Sequence, residues 1–234
     1  MKRRDLSKVL DTLEDAKFFS ACLTAKVCLP PRAGEYADLP EGLSEELKTA
    51  LSERGFRNLY SHQAEAFQRA KAGEDLIVVT PTASGKTLCY NLPVLDAIDE
   101  DRTNRALYLF PTKALAQDQL AEFEGLVRGL KPAVKAYTYD GDTPGDIRGA
   151  IRKKAHVVIT NPDMLHAGIL PHHTKWNEFF RNLSFVVIDE THTYRGVFGS
   201  HMVNVMRRLH RICRHYGSTP QFICCSATIA NPQE

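Results

Sequence analysis

The chain has 234 residues, 43% of them apolar, enough for one large domain or two small ones with a sizeable core. Thirty Lys and Arg against 28 Asp and Glu leave a formal charge of +2, which neither demands nor excludes a polyanionic partner. Six cysteines (Cys22, Cys28, Cys89, Cys213, Cys224, Cys225) without C-x-x-C spacing give no zinc ribbon and no secreted disulfide framework, and read as reduced, mostly buried thiols.

Met1-Lys2-Arg3-Arg4 is followed by polar and charged residues from Asp5 to Glu14, where a signal peptide would carry its apolar segment. The longest apolar runs elsewhere are about five residues, against the ~20 of a membrane helix, so a cytoplasmic protein is expected. Leu6 to Leu23 reads as a charged helical stretch and Leu29 to Pro40 as extended chain, together an accessory N-terminal segment over 1–42. From Leu43 the pattern becomes regular. Leu43, Leu47, Ala50 and Leu51 fall at helical spacing with Gly55 as the stop, and a second helix is expected from a Ser61 cap to about Ala72.

Short apolar runs then alternate with helical segments: 76–80, 106–110, 134–139, 157–160, 185–188 and 222–225. Continuously apolar strands separated by helices predict a parallel sheet covered on both faces, whose ligands sit beyond the carboxyl ends of the strands. The stretch from His201 to Tyr216 sets Val205, Leu209, Ile212 and Tyr216 on one helical face. Arg207, Arg208, Arg211 and Arg214 remain on the others as a solvated basic surface. His156, His172 and His173 have no partner at metal-ligand spacing.

Thr80-Pro81-Thr82-Ala83-Ser84-Gly85-Lys86-Thr87 follows a strand and opens a helix, the context of a phosphate-binding loop. Its backbone N–H groups and the helix N-terminus suit phosphates, Lys86 can reach the β/γ oxygens, and the Thr87 hydroxyl can ligate Mg²⁺. Thr80 stands where the first glycine is usual, but only Gly85 and Lys86 must meet the phosphates closely. About a hundred residues on, a hydrophobic strand runs into Asp189-Glu190-Thr191-His192. Buried strand ends do not normally carry paired carboxylates. Asp189 is suited to hold Mg²⁺, and Glu190 to orient and deprotonate the water that attacks a γ-phosphate.

Thr80 to Thr87, Asp189 to His192 and Ser226-Ala227-Thr228 resemble motifs I, II and III of superfamily 2 helicases, in order, with His192 making the second DExH-like. Tyr60-Ser61-His62-Gln63 resembles the adenine-reading Q motif, Pro111-Thr112-Lys113-Ala114-Leu115-Ala116-Gln117 motif Ia, and Thr160-Asn161-Pro162-Asp163 motif Ib. The resemblance covers roughly residues 60 to 230. Tyr139-Asp140-Gly141-Asp142-Thr143-Pro144 and His192-Thr193-Tyr194-Arg195-Gly196 look most like the YprA/MrfA subgroup of DNA-repair helicases, relatives of the fungal Hrq enzymes. Thr191 departs from the pattern, which more usually has an aliphatic residue there.

The resemblance implies that Gln63 reads the adenine edge and that Ser226 and Thr228 couple hydrolysis to strand movement. It also implies that Pro111, Thr112, Lys113, Thr160 and Asn161 track a nucleic-acid backbone, with Arg148 adding charge. Plainer readings stay open beside these: an exposed helix glutamine for Gln63, a turn closing a strand for 226–228, and helix caps for 111–113 and 160–162. Tyr60 reads either as a base-stacking ring or as a staple into the core.

The expectation is therefore an α/β, three-layer RecA-like P-loop NTPase domain over 43–234, with a mainly parallel central sheet and a short N-terminal extension. It binds ATP with Mg²⁺ and one side of single-stranded or partly duplex DNA, RNA being the other candidate. The second RecA-like lobe, with its arginine fingers, is expected in cis in a longer protein. An arginine finger is worth about 10³ to 10⁵ in rate, so these residues alone are expected to bind nucleotide weakly, hydrolyse it very slowly and unwind nothing. A P-loop kinase or transferase and a non-catalytic interaction module are the alternatives.

Overall fold

The computed structural model describes residues 6–25, 27, 33–81 and 83–227. The chain divides into two compact units, Met1–Gly34 and Glu35–Glu234. In the first, helices α1 (Leu6–Asp15) and α2 (Lys17–Cys22) leave Val9, Leu10, Leu13 and Phe19 exposed.

The second unit opens with strand β1 (Tyr36–Ala37), which pairs antiparallel with β2 (Leu59–Tyr60). Between them lies α3 (Glu45–Glu53), whose first turn is capped by Ser44 and whose end is closed by Gly55 at φ +84. That left-handed conformation lets the Gly55 and Phe56 N–H groups bond Ser52 O and Leu51 O. Helix α4 (Ser61–Lys71) is capped by Tyr60, one residue before the expected Ser61.

Each of the six apolar runs is a strand: β3 (Leu76–Val79), β4 (Arg105–Leu109), β5 (Ala136–Thr138), β6 (Val157–Thr160), β7 (Leu183–Ile188) and β8 (Gln221–Ser226). They form one sheet in the order β3-β8-β7-β4-β6-β5, parallel at every pairing. The connecting helices are α5 (Lys86–Glu100), α6 (Lys113–Val127), α7 (Gly145–Lys154), α8 (Pro162–Met164), α9 (Asn177–Arg181) and α10 (Gly196–Tyr216).

The apolar runs are continuous because both faces are buried. Ala106 and Tyr108 of β4 and Phe185 and Val187 of β7 point into a core shared with α3 to α6. Leu107, Leu109, Val186 and Ile188 point into a second core with Leu165, Trp176, Phe180 and the inner face of α10. This is the three-layer arrangement, with the central sheet wholly parallel and the antiparallel β1-β2 pair outside it. Helix α10 starts five residues before His201 and buries Met202, Val205, Leu209 and Cys213, while Ile212 and Tyr216 are only partly covered.

Among the described residues no helix is long and apolar enough to cross a membrane. Cys89, Cys213 and Cys225 are buried and free, Cys224 is partly buried, Cys22 is exposed, and Cys28 lies outside the described residues. Burial pushes the Cys89 thiol up to about 12 and those of Cys213 and Cys224 up to about 11, far from the thiolate form that reacts.

Candidate functional site

Because every strand is parallel, all six carboxyl ends lie along one edge of the sheet. Strand order lays the sequence motifs along it: the phosphate loop after β3, 226–227 after β8, 189–192 after β7, 111–113 after β4 and 160–161 after β6. The ladder continues into the motifs themselves, since Thr80 N–H donates to Ser226 O at 3.3 Å and Asp189 N–H to Leu109 O at 3.1 Å. Segments far apart in sequence are thereby fixed side by side.

In the phosphate loop Ala83 (φ +61) and Gly85 (φ +76) are both left-handed. The loop folds on itself: Lys86 Nζ donates to Thr80 O at 2.9 Å and Pro81 O at 2.8 Å, and the Thr80 and Ser84 hydroxyls lie 2.6 Å apart. Thr80, in place of a glycine, thus closes the loop through its side chain. Thr82 lies outside the described residues.

Gln63 is 3% exposed, so it is not the surface helix residue one reading allowed. Its Oε1 accepts the Tyr60 N–H at 2.9 Å and its Nε2 donates to Gly85 O at 2.8 Å. Each end of the amide makes one bond within the protein, which leaves one N–H and one lone pair beside the cavity. Next to it Tyr60 stacks on Tyr36, with ring centres 5.0 Å apart, and on His62 at 5.6 Å. Tyr36, Tyr60, Gln63, Ala83, Gly85 and Thr87 line one cavity of about 630 Å³. Tyr36 was missed in the sequence because it precedes every motif, on a strand of two residues.

Asp189 is 8% exposed at the end of β7. Its Oδ1 accepts the Glu190 N–H at 2.7 Å and its Oδ2 lies 3.2 Å from the Tyr90 hydroxyl. Burial raises its carboxyl above the usual carboxylate range, opposed by those two hydrogen bonds and by Lys86. Glu190 holds φ +53, a left-handed conformation that costs a non-glycine residue of order 1–3 kcal/mol. His192 Nδ1 sits 3.2 Å from Glu190 Oε2 and 3.4 Å from Ser226 Oγ, joining the second and third motifs through one ring nitrogen. The unusual Thr191 has a task here, since its hydroxyl donates to Cys225 O at 3.1 Å and ties the loop to β8. Thr228 lies outside the described residues.

On the other half of the edge the geometry trims the expectations. Thr112 caps α6 by accepting the Leu115 N–H, and Asn161 Oδ1 accepts the Met164 N–H at 2.8 Å, so both side chains are helix caps. Thr160 is 2% exposed and its hydroxyl donates to Tyr139 O at 2.5 Å. The helix that starts after Asn161 continues without leaving helical backbone into a π-helical turn over Leu165–Ile169. Lys113 is 47% exposed in its side chain and pairs with Asp142 Oδ2 at 2.5 Å. Arg148 donates to the carbonyls of Thr143, Asp140 and Gly141 and lies over the Tyr139 ring, bracing the 139–144 loop.

The sequence is similar to the ATP-dependent helicase YprA of Bacillus subtilis, 62% identical over 206 residues that make up 88% of this chain and 28% of YprA. It is 40% identical to the ATP-dependent helicase HRQ1 of Saccharomyces cerevisiae over 231 residues, 97% of this chain and 21% of that protein. The fold superposes on the crystal structure of the DUF1998 helicase MrfA bound to DNA and AMPPNP with a TM-score of 0.87 and 56% identity, covering 99% of this chain and 32% of MrfA. The chain thus spans less than a third of the length of each of these relatives. Residues 60–234 match the DEAD/DEAH box helicase family, and with the phosphate loop, the Asp-Glu-x-His strand end and the Ser-Ala turn assembled on one sheet edge, the chain belongs to that family.

Proposed function

We propose that this chain is the ATP-binding lobe of an ATP-dependent DNA helicase or translocase of the DNA-repair subgroup, and that its sheet edge carries the nucleotide on one half and a DNA strand on the other. The observation that carries the reading is the juxtaposition of Lys86, Asp189 and Glu190 across the neighbouring ends of β3, β8 and β7. RNA would fit the same backbone-tracking surface, but the relative bound to DNA favours DNA.

Lys86, now held by two carbonyls of its own loop, would exchange them for β/γ-phosphate oxygens, while the loop N–H groups and the α5 N-terminus hold the remaining charge. The donor set suits Mg²⁺: Asp189 is a buried carboxylate with no formal cation bonded to it among the described residues, and the Thr87 hydroxyl opens the same helix as Lys86. Bound there, Mg²⁺ would neutralise charge developing on the phosphate oxygens. Glu190 orients the attacking water and takes its proton. His192 holds the Glu190 carboxylate and reports its position to Ser226, the start of the coupling motif.

Gln63 acts here as the brace between α4 and the phosphate loop, with its second N–H and second lone pair left for an adenine edge. For the DNA strand, Lys113 supplies charge and the backbone around Pro111, Thr112 and Asn161 supplies donors, with Thr160 contributing no side chain. Turnover and unwinding belong to the full-length protein with its second lobe.

Calorimetric titration with Mg²⁺ and a nonhydrolysable ATP analogue, comparing the chain with its Lys86→Ala variant, tests this. Binding abolished by the substitution is the expected result. Binding that Lys86→Ala leaves intact would remove the phosphate loop from the site.

A further inference from the structure

Outside every motif lies a buried hydroxyl that touches the site. Tyr90 sits on α5 one turn after Lys86 and is fully buried. Its ring packs edge-on against Tyr108 of β4, with centres 5.3 Å apart, and Tyr108 in turn packs against Phe123 of α6. Its hydroxyl lies 3.2 Å from Asp189 Oδ2 and 3.0 Å from Gln119 Oε1.

A hydroxyl has one proton, so it cannot donate to both neighbours. An ionised carboxylate only accepts. The proton therefore points to Asp189, and the Gln119 amide, whose oxygen and nitrogen are alike in shape, turns its NH₂ toward the Tyr90 oxygen. The result is a one-way chain from Gln119 N–H to Tyr90 O–H to Asp189. The reverse orientation would set two acceptor oxygens against each other beside Asp189.

Gln119 is two turns along α6 from Lys113, in the helix whose first residues face the proposed DNA strand. Over that span a helix is a rigid lever about 9 Å long. We propose that the Tyr90 hydroxyl is a positioning group: it sets the direction in which Asp189 presents its free oxygen lone pairs to a divalent cation, and through Gln119 it ties that direction to the placement of α6. A DNA strand seated at the start of α6 thereby changes the cation affinity of the nucleotide site.

The inference rests on the reading of Asp189 as a cation ligand, and the experiment separates the two. Binding of the nonhydrolysable ATP analogue to the 234-residue chain is titrated against Mg²⁺, with and without a single-stranded oligonucleotide, for the parent chain, Tyr90→Phe and Gln119→Leu. Tyr90→Phe keeps the ring and its packing and removes only the hydroxyl. It is expected to raise the Mg²⁺ concentration for half-saturation about tenfold, the size of one hydrogen bond to a charged group, and to leave Mg²⁺-free binding unchanged. Gln119→Leu, which leaves the Tyr90 hydroxyl and Asp189 in place, is expected to abolish the oligonucleotide's effect on Mg²⁺ half-saturation. Lys86-dependent nucleotide binding with the same Mg²⁺ dependence in all three proteins overturns the role of Tyr90 and leaves the site intact. Absence of any Mg²⁺-dependent binding by the parent chain overturns the reading of Asp189 and the inference with it.

Discussion

Gln63 and Gly85 are locked together across the base of the phosphate loop: the Gln63 Nε2 donates to the Gly85 carbonyl, and a Cβ built at residue 85 would lie 2.5 Å from that nitrogen. The glycine is required twice, for its φ of +76 and for the space the amide fills. Replacing Gln63 by Glu keeps one oxygen for the Tyr60 N–H and sets the other against the Gly85 carbonyl, two acceptors face to face. An unsatisfied contact of that kind costs about 1–3 kcal/mol. The expected outcome is a melting temperature lower by roughly 2–4 °C per kcal/mol and weaker nucleotide binding. Unchanged melting with reduced ATP-over-GTP preference would instead make Gln63 a reader of the base.

At Asp189 the stability of the fold and the proposed cation site pull in opposite directions. Burial disfavours its charge, so the folded carboxyl holds its proton to higher pH than the unfolded one. Above the unfolded value the buried charge works against the fold. Asp189→Asn keeps an oxygen for the Glu190 N–H and removes that charge. The variant is expected to melt higher than the parent at pH 7 and to lose Mg²⁺-dependent nucleotide binding, a trade typical of functional carboxylates. Calorimetry with and without Mg²⁺ reads both, and a variant that melts lower would show that the charge is compensated in the fold.

Most of the sheet was legible because a strand buried on both faces must be apolar at every position, as in Val157-Val158-Ile159 and Val186-Val187-Ile188. The phosphate loop and the Asp189-Glu190 pair were legible for the opposite reason, polar groups placed where an ordinary core has none. What the sequence hid was the use of those polar groups. Thr112 and Asn161 look the same in sequence whether they cap a helix, meet a phosphate or do both, and only the structure shows the Leu115 and Met164 N–H groups pointing at them. The burial of Thr160 depends on Tyr139, 21 residues away, across a pairing of β5 with β6 that no local pattern encodes. Tyr36 and Tyr90 carry no motif spacing and reach the site through tertiary packing.

His156 gives the fold an acid-sensitive joint. Its Nδ1 accepts the Lys135 N–H at 3.0 Å, and its own backbone bonds Lys135 O and the Ala106 N–H, so it pins the starts of β5, β6 and β4. Burial first, then Arg105, Arg102 and Lys135, lowers its pKa from 6.5 to about 4. The unfolded chain thus takes up a proton that the folded one refuses between those values. Stability from this group is complete above pH 6.5 and is lost as pH falls toward 4. The half-buried ring is screened by solvent, which keeps the loss to about 1 kcal/mol. His156→Gln is expected to flatten the decline in melting temperature over that window, and parallel curves for the two proteins would assign the acid sensitivity elsewhere.

Lys113, at the start of α6 on the proposed DNA edge, projects a formal charge, and Asp142 holds it at 2.5 Å in a solvent-exposed pair. The two side chains are 47% and 81% exposed, so the pair adds little to stability and opposes an incoming phosphate instead. Asp142→Asn leaves the loop framework, built on Asp140, Thr143 and Arg148, in place and frees the ammonium. Single-stranded DNA should then bind about two- to fivefold more tightly at low salt. Lys113→Ala should weaken binding and reduce the dependence of log K on log salt by about 0.7, the contribution of one phosphate contact on a single strand. Fluorescence anisotropy of a labelled oligonucleotide across a salt series measures both. If Asp142→Asn has no effect while Lys113→Ala flattens the slope, Asp142 already releases the lysine on binding. If neither variant changes the slope, the DNA strand does not pass over the start of α6, and the path of the strand must be drawn along another part of the edge.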